Sequence, residues 1–221
     1  FGTQAHWTAI MIILLPLQAE RIGGSDFKGQ TLGQIMAAGA FVSMAVCPVF
    51  GAWSDRVRTR WGRRLPFVVG GTLLNVLFLL AMAVLPDRPE MLYPYVLVFM
   101  GIQLANNLAT APYSALIPDV VPPEQRGAAS GWMGLMMMLG NFVGGLTGLL
   151  LPVLGGVGGA YVAIAVLLTL SMLGTALTVK EPEPPHLPPF ALSAFLRDLA
   201  APFKSRDFSW VFWTRFLVML G

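Results

Sequence analysis

The sequence alternates between long apolar runs and short polar segments, and this alternation limits the possible folds more than any other feature. Each run has about 20 residues or more, and a helix of about 20 residues crosses the roughly 30 Å hydrocarbon core of a bilayer. Backbone amides in lipid must be paired within the segment, so runs of this length predict transmembrane helices. Six complete runs are delimited: Phe1–Ala19, Leu32–Trp53, Leu65–Leu85, Met91–Ile117, Ala128–Leu154 and Ala160–Val179.

The composition independently indicates a membrane protein. Hydrophobic residues make up 56% of the chain, charged residues make up 11%, and the mean hydropathy is +0.69. Soluble domains carry about 25% charged residues, so this chain has too few charges to cover a water-facing surface. Its positive charge lies in one hairpin and one distal segment rather than along a groove, which argues against a nucleic-acid partner. The single cysteine, Cys47, allows no internal disulfide.

The Lys and Arg residues between the runs predict the orientation in the membrane. The connections after spans 1, 3 and 5 contain three of them: Arg21, Lys28 and Arg88. The connections after spans 2, 4 and 6 contain ten: Arg56, Arg58, Arg60, Arg63, Arg64, Arg126, Lys180, Arg197, Lys204 and Arg206. Because cytoplasmic loops carry the excess of positive charge, loops 2–3, 4–5 and 6–7 are predicted to be cytoplasmic. We expect a multi-pass protein of a bacterial inner membrane.

The chain changes character after the sixth run. Residues 180–190 read KEPEPPHLPPF, which is typical of an extended linker. Apolar residues at 192, 195, 196 and 199 then predict a short amphipathic helix at the cytoplasmic interface. We therefore divide the chain into a six-helix bundle (1–179), a cytoplasmic linker (180–209) and the start of a seventh span (210–221). Since the chain begins apolar and stops within an apolar run, we expect both ends to be cut.

The connection between the second and third runs, Gly51–Pro66, is called the signature loop below. It reads GAWSDRVRTRWGRRLP and sets one Asp among five Arg, with Gly51 before the charged part and Gly62 ahead of its last two Arg. This pattern resembles the cytoplasmic loop motif of the major facilitator superfamily, with five residues rather than the usual one between Asp-Arg and the second Gly. The longer form, and the block Ala111–Gly131, resemble the branch of sucrose and other glycoside–cation symporters.

The resemblance implies a fold and a mechanism. The six spans would be the N-terminal half of a twelve-helix carrier whose two halves rock about a central site, and a missing C-terminal half would be the main partner. The loop would lock the outward-facing state from the cytoplasmic side. The implied gating residues are Gly51, Asp55, Arg56, Arg60, Gly62, Arg63, Arg64 and Asp119. The alternative is that these Arg residues only set topology and bind anionic lipid headgroups.

Polar side chains in the middle of spans indicate a candidate substrate site, because they are costly in lipid and usually face a cavity. The candidates are Gln4, His6, Trp7, Gln103, Asn106, Asn107, Tyr113, Trp132 and Asn141. Amides offer donors and acceptors to hydroxyl groups, and aromatic rings pack against the C–H face of a sugar ring. Interhelical hydrogen bonding is the alternative for each amide, and a satisfied interior imidazole is the alternative for His6.

The sequence also leads to expectations about the coupling ion and about the class of function. No Asp or Glu lies deep in the six spans, so the group that binds a coupling ion (H⁺ or Na⁺) would be His6, Asp119 or a residue in the missing half. We favour the missing half, and facilitated diffusion is an alternative. No metal site or cofactor is expected, and the chain lacks the motifs of an intramembrane enzyme. Drug or metabolite export and a non-transporting sensor or scaffold remain alternatives. On span 5, Gly140, Gly144 and Gly148 predict close approach of another helix.

Overall fold

The computed structural model describes residues 1–54, 57, 59, 61–116, 120–179, 181, 197 and 204–220. These residues are helical apart from turns, short connections and one isolated bridge between Thr59 and Gly62. The chain forms two compact units, Phe1–Pro184 and Pro185–Gly221, each described by itself. The helices are α1 (Gly2–Thr8), a π-helical segment (Ala9–Leu14), α2 (Leu15–Gly23), α3 (Lys28–Ser54), α4 (Leu65–Val84), α5 (Leu92–Ser114), α6 (Arg126–Leu150), α7 (Gly156–Thr178) and α8 (Arg206–Leu220). Short 3₁₀ turns, Pro89–Met91 and Pro123–Gln125, precede α5 and α6.

The structure confirms the all-α membrane architecture. In the described part, four stretches are long and apolar enough to cross a membrane: Lys28–Gly51, Leu65–Val84, Pro123–Leu150 and Gly156–Thr178. The other two predicted spans are also helical, but one is divided by the π-helical segment and α5 carries several polar side chains. The predicted fifth span, Ala128–Leu154, passes from helix to turn after Leu150, since Pro152 has no N–H to continue the helical ladder. Gly155 and Gly156, with positive φ values of 80° and 86°, then lead the chain into α7.

The first span is continuous through α1, the π-helical segment and α2. Leu15 N–H donates to the carbonyl of Ile10, five residues earlier, which is the π-helical pattern. The following residue is Pro16, which has no N–H to continue an α-helical ladder. A π-bulge next to a proline therefore keeps the backbone paired while it changes the direction of the side chains that follow. The sequence predicted a helix here but not this irregularity.

The core lies where the first span meets α4, α5 and α7. Ile10, Leu14, Tyr95, Phe99 and Tyr161 are fully buried in it. The helix α4 packs against both α5 and α7, α3 packs against α5 and α2, and α1 packs against α6 and α7. Of the four spanning stretches, those in α3 and α6 are the least buried, and they leave large apolar side chains exposed. Such surfaces require lipid or another protein segment rather than water.

A polar network joins the ends of the helices that lie opposite the signature loop. The buried Gln18 amide donates to Asp87 (2.8 Å) and accepts from the hydroxyls of Tyr95 (2.5 Å) and Tyr161 (2.6 Å). Arg21 forms an ion pair with the other oxygen of Asp87 at 2.8 Å. The network ties α2, the connection after α4, α5 and α7 together, so every polar group that it buries is paired.

The second unit contains α8, which the structure begins at Arg206. Phe208 and Phe212 stack at 6.3 Å, and Phe212 meets Trp213 edge-to-face at 5.5 Å. The predicted amphipathic helix at residues 192–199 and nearly all of the proline-rich linker lie outside the described residues. Their predicted roles stay predictions.

Candidate functional site

A cavity of about 390 Å³ opens between the first span, α3, α5 and α6. It lies beside the π-helical segment, which contributes Met11 and Ile12 to its wall. The lining residues are Gln4, Trp7, Thr8, Met11, Ile12, Ser43, Gln103, Asn106, Asn107 and Asn141. These side chains are amides, hydroxyls, one indole and two apolar groups, so the lining sets uncharged polar groups within a mainly apolar surface. Such a lining can exchange hydrogen bonds with a neutral polar molecule.

Hydrogen bonds fix the α3–α5 wall of the cavity. Asn107 Nδ2 donates to Ser43 Oγ at 2.8 Å and to the Gln103 carbonyl oxygen at 2.8 Å. Ser43 Oγ in turn donates to Gln103 Oε1 at 3.0 Å. Gly39 of α3 packs on Phe99 and Gln103, leaving no room for a Cβ atom. This wall therefore combines close helix packing with a defined orientation of two amides.

The opposite wall is formed by α1 and α6. Thr8 Oγ1 and Asn141 Oδ1 form a hydrogen bond of 2.8 Å between these helices. Gly140 faces the Phe1 carbonyl oxygen, where a Cβ would lie 2.5 Å away, and Gly144 faces the Ala5 carbonyl oxygen more closely still. At Gly148 an added Cβ would meet only the Ile13 side chain, at 3.4 Å. The glycine repeat thus faces the first span, with its closest contacts at Gly140 and Gly144.

The cavity brings together six of the nine candidate substrate residues. These are Gln4, Trp7, Gln103, Asn106, Asn107 and Asn141. The other three lie elsewhere: His6 is fully buried beside Trp7, with ring centroids 5.0 Å apart, whereas Tyr113 and Trp132 are 42% and 67% exposed. His6 belongs to the packed interior because it points to a different side of α1 from Gln4 and Trp7.

Four lining residues were not among the sequence candidates: Thr8, Met11, Ile12 and Ser43. Thr8 and Met11 follow Gln4 and Trp7 at helical spacing, so the 3.6-residue period was a signal that could have identified them. Ser43 is a single small hydroxyl in an apolar span, and its importance depends on the packing of α3 against α5. No local pattern identifies it.

The signature loop is described only in part. Of the predicted gating residues, Asp55, Arg56, Arg60 and Asp119 lie outside the described residues, so their roles stay predictions. Thr59 and Gly62 exchange two backbone hydrogen bonds of 3.0 and 3.2 Å, which close a tight turn. Gly62 has a φ of +101°, a value that favours glycine, and an added Cβ would lie 2.6 Å from the carboxyl carbon of Glu181. The second glycine of the loop motif therefore has two physical reasons to be glycine.

The carboxylate of Glu181 binds the start of α4. It accepts backbone N–H bonds from Arg63 at 2.9 Å, from Arg64 at 3.0 Å and from Leu65 at 2.6 Å. The next residue, Pro66, has no N–H to offer. A carboxylate at a helix N-terminus is favoured by the unpaired N–H groups and by the helix dipole. Glu181 therefore anchors the segment after α7 to the signature loop.

The end of α3 is joined to the same region. The Arg64 side chain is buried, and its guanidinium donates to Ser54 Oγ at 3.4 Å. Ser54 Oγ donates to the carbonyl oxygen of Gly51 at 2.8 Å. Arg64 thus connects the start of α4 with the last turn of α3 across the signature loop.

The whole sequence matches the model of the Major Facilitator Superfamily, over residues 1–221. With an all-helical fold, membrane-spanning helices and a polar cavity between them, the chain belongs to this superfamily of membrane transporters. It is an integral, multi-pass membrane protein.

Similar proteins include several sugar carriers. The chain is 26% identical over 161 residues to sucrose transport protein SUC3 of Arabidopsis thaliana, which covers 65% of this chain and 26% of that protein. It is 33% identical over 128 residues to the general alpha-glucoside permease of Schizosaccharomyces pombe, a match that covers 52% of this chain and 23% of that protein. It is 30% identical over 162 residues to sucrose transport protein SUT4 of Oryza sativa subsp. japonica, a match that covers 65% of this chain and 26% of that protein. The matches thus span about a quarter of the length of these relatives, which come from plants and yeast, and the expected bacterial inner membrane stays a prediction.

Proposed function

We propose that this chain is part of a carrier that moves a sugar or glycoside across a membrane by alternating access, coupled to a cation. The single observation that carries the proposal is the cavity between the first span, α3, α5 and α6, with its uncharged amide and hydroxyl lining. The names of the similar proteins support the same substrate class, at low identity.

The chemistry of the lining suits a polyhydroxyl molecule. Each amide offers two donors and an acceptor, and each hydroxyl group of a sugar both donates and accepts. Trp7 supplies a flat apolar surface next to these groups, on which the C–H face of a sugar ring can pack. A cavity of about 390 Å³ falls within the range of small-molecule sites, about 300–1,000 Å³.

Asn107 offers a direct test of the site. Its two N–H hydrogens are used within the protein, so its Oδ1 is the atom available to a substrate hydroxyl. Asn107→Ala in the full-length protein is expected to weaken sugar binding by at least fivefold, because loss of one hydrogen bond costs about 1 kcal/mol. An unaltered dissociation constant for sucrose would make Asn107 structural. Ser114→Ala, on the exposed end of the same helix, is the matched control.

The proposed cycle assigns the signature loop to the cytoplasmic side, together with loops 4–5 and 6–7. Asp55, Arg56, Arg60 and Asp119 then pair in the outward-facing state and separate in the inward-facing state, which biases the equilibrium between the two. The lining contains no carboxylate, so we assign the coupling group to the part of the carrier beyond this chain.

Flux measurements separate this proposal from its rivals. Full-length protein in proteoliposomes is expected to take up radiolabelled sucrose and to accumulate it when a proton or sodium gradient is imposed. Uptake that equilibrates without accumulation would indicate facilitated diffusion. Binding without flux would indicate a sensor, and flux of apolar drugs without sugar flux would indicate an exporter.

A further inference from the structure

We infer that Ser43 is a positioning residue that determines whether the amides of Gln103 and Asn107 present a donor or an acceptor to a bound molecule. In this way Ser43 lets the cavity distinguish a hydroxyl group of the substrate from an ether oxygen or a hydrogen at the same position. The inference rests on the proposed function, since it concerns how the same cavity reads its substrate. Ser43 is the only side chain of α3 among the residues that line the cavity in the described part of the chain.

The orientation of the Asn107 amide follows from its donors. Its amide nitrogen has two hydrogens, and these go to Ser43 Oγ and to the Gln103 carbonyl oxygen, each at 2.8 Å. With both hydrogens used, the group that Asn107 has left is its carbonyl oxygen. Asn107 therefore presents an acceptor and no donor to a bound molecule.

The orientation of Gln103 follows from the single hydrogen of the Ser43 hydroxyl. Because Ser43 Oγ accepts from Asn107, it directs its own hydrogen to Gln103 Oε1, at 3.0 Å. The Gln103 amide nitrogen then has no protein partner among the described residues, and the Gln103 side chain lines the cavity. Gln103 therefore presents a donor.

The two amides together form a donor–acceptor pair one helical turn apart. Residues at i and i+4 have Cβ atoms about 5–6 Å apart, and both side chains line the cavity, so one hydroxyl group of a bound molecule can contact both amides. A hydroxyl can accept from Gln103 and donate to Asn107 at once. An ether oxygen can only accept, and a C–H group can do neither, so either leaves a polar group unpaired.

Ser43→Ala removes the atom that fixes this arrangement. The Gln103 amide is then free to rotate by 180° and to offer either its oxygen or its nitrogen, while Asn107 keeps its bond to the Gln103 carbonyl oxygen and gains a free N–H hydrogen that can also act as a donor. The expected consequence is a loss of discrimination rather than only a loss of affinity. Ser43→Thr keeps the hydroxyl and is expected to restore the discrimination, whereas Ser43→Cys, a close match in size with a weak donor, is expected to behave like Ser43→Ala.

The experiment measures dissociation constants for sucrose and for a series of monodeoxy and mono-O-methyl sucroses with the full-length protein. We expect at least one analogue to bind the wild type about fivefold or more weakly than sucrose, as loss of about 1 kcal/mol implies. For that analogue, the ratio of its dissociation constant to that of sucrose is expected to fall below about twofold in Ser43→Ala and Ser43→Cys. In Ser43→Thr the ratio is expected to stay as in the wild type. Ser171→Ala, which removes a hydroxyl bonded within α7 at Leu167, is the matched control.

Two negative results have different meanings. If the wild type binds sucrose but the ratios in Ser43→Ala and Ser43→Cys equal those of the wild type, the positioning role is refuted and the proposed function stands. If the folded wild type binds no glycoside at all, the proposed function itself fails.

Discussion

Glu181 provides the sharpest test of how the signature loop is held, because its carboxylate accepts hydrogen bonds from three backbone N–H groups at the start of α4. Glu181→Gln keeps one acceptor oxygen but removes the charge. Charge-assisted hydrogen bonds contribute about 1.5–3 kcal/mol each and neutral ones about 0.5–1.5 kcal/mol, while loss of a helix cap typically costs about 0.5–2 kcal/mol. Because the site is only half-buried, water replaces part of the loss, and we expect about 1–2 kcal/mol.

Hydrogen exchange measures this cost at the affected amides. A loss of about 1–2 kcal/mol in local stability corresponds to exchange that is about 5–30 times faster. Mass spectrometry of the full-length protein in detergent should show this acceleration in the peptide that contains Arg63, Arg64 and Leu65. Glu124→Gln is the control, since Glu124 is exposed in the turn before α6. Unchanged exchange in Glu181→Gln, with the control also unchanged, would refute the anchoring role.

Three further predictions concern packing, the polar network and gating. Gly144→Ala should lower the free energy of unfolding by about 1–3 kcal/mol in denaturant unfolding, because the added Cβ would collide with the backbone of the first span. Gly145 faces open space, so Gly145→Ala should leave the free energy of unfolding unchanged. Equal effects of the two substitutions would contradict the close packing of α6 on the first span. Tyr161→Phe should cost about 1 kcal/mol by removing one hydroxyl from the Gln18 network, and Tyr93→Phe, on an exposed ring, should cost nothing measurable. Asp55→Asn should reduce sucrose uptake while the protein still folds and inserts, and undiminished uptake would remove Asp55 from the gate.

The sequence predicted the helices well because each is a long apolar run bounded by charges, glycines or prolines. Membrane insertion depends on these local properties, and an apolar stretch of about 20 residues is easy to recognise in a sequence. The π-helical segment was not predicted, because it follows from how backbone carbonyls near Pro16 find donors in the folded state. The last four residues of the predicted fifth span form a turn rather than helix, because an apolar composition does not show where the helical hydrogen bonds stop.

The residues of the cavity were partly predictable from the sequence, whereas the position of His6 and the contact of Glu181 with the signature loop were not. Amides such as Gln103 and Asn107 stand out in apolar spans, and the structure places them on one wall. His6 stands out equally in the sequence but faces the packed interior, since polarity alone does not tell which side of a helix a residue occupies. The contact of Glu181 with the signature loop joins residues more than 100 positions apart, and only the packing of α7 beside α4 brings them together.

The most direct test of the central claim is whether sugar protects the cavity from chemical modification. Cys47→Ser removes the one cysteine of this sequence, any cysteine elsewhere in the full-length protein is replaced in the same way, and Asn106→Cys then places a thiol in the cavity lining, with Ser114→Cys as an exposed control on the same helix. In the full-length protein, saturating sucrose should slow maleimide labelling at position 106 severalfold and leave position 114 unaffected. Equal labelling rates at position 106 with and without sucrose, in protein that retains sucrose binding, would show that the sugar binds elsewhere.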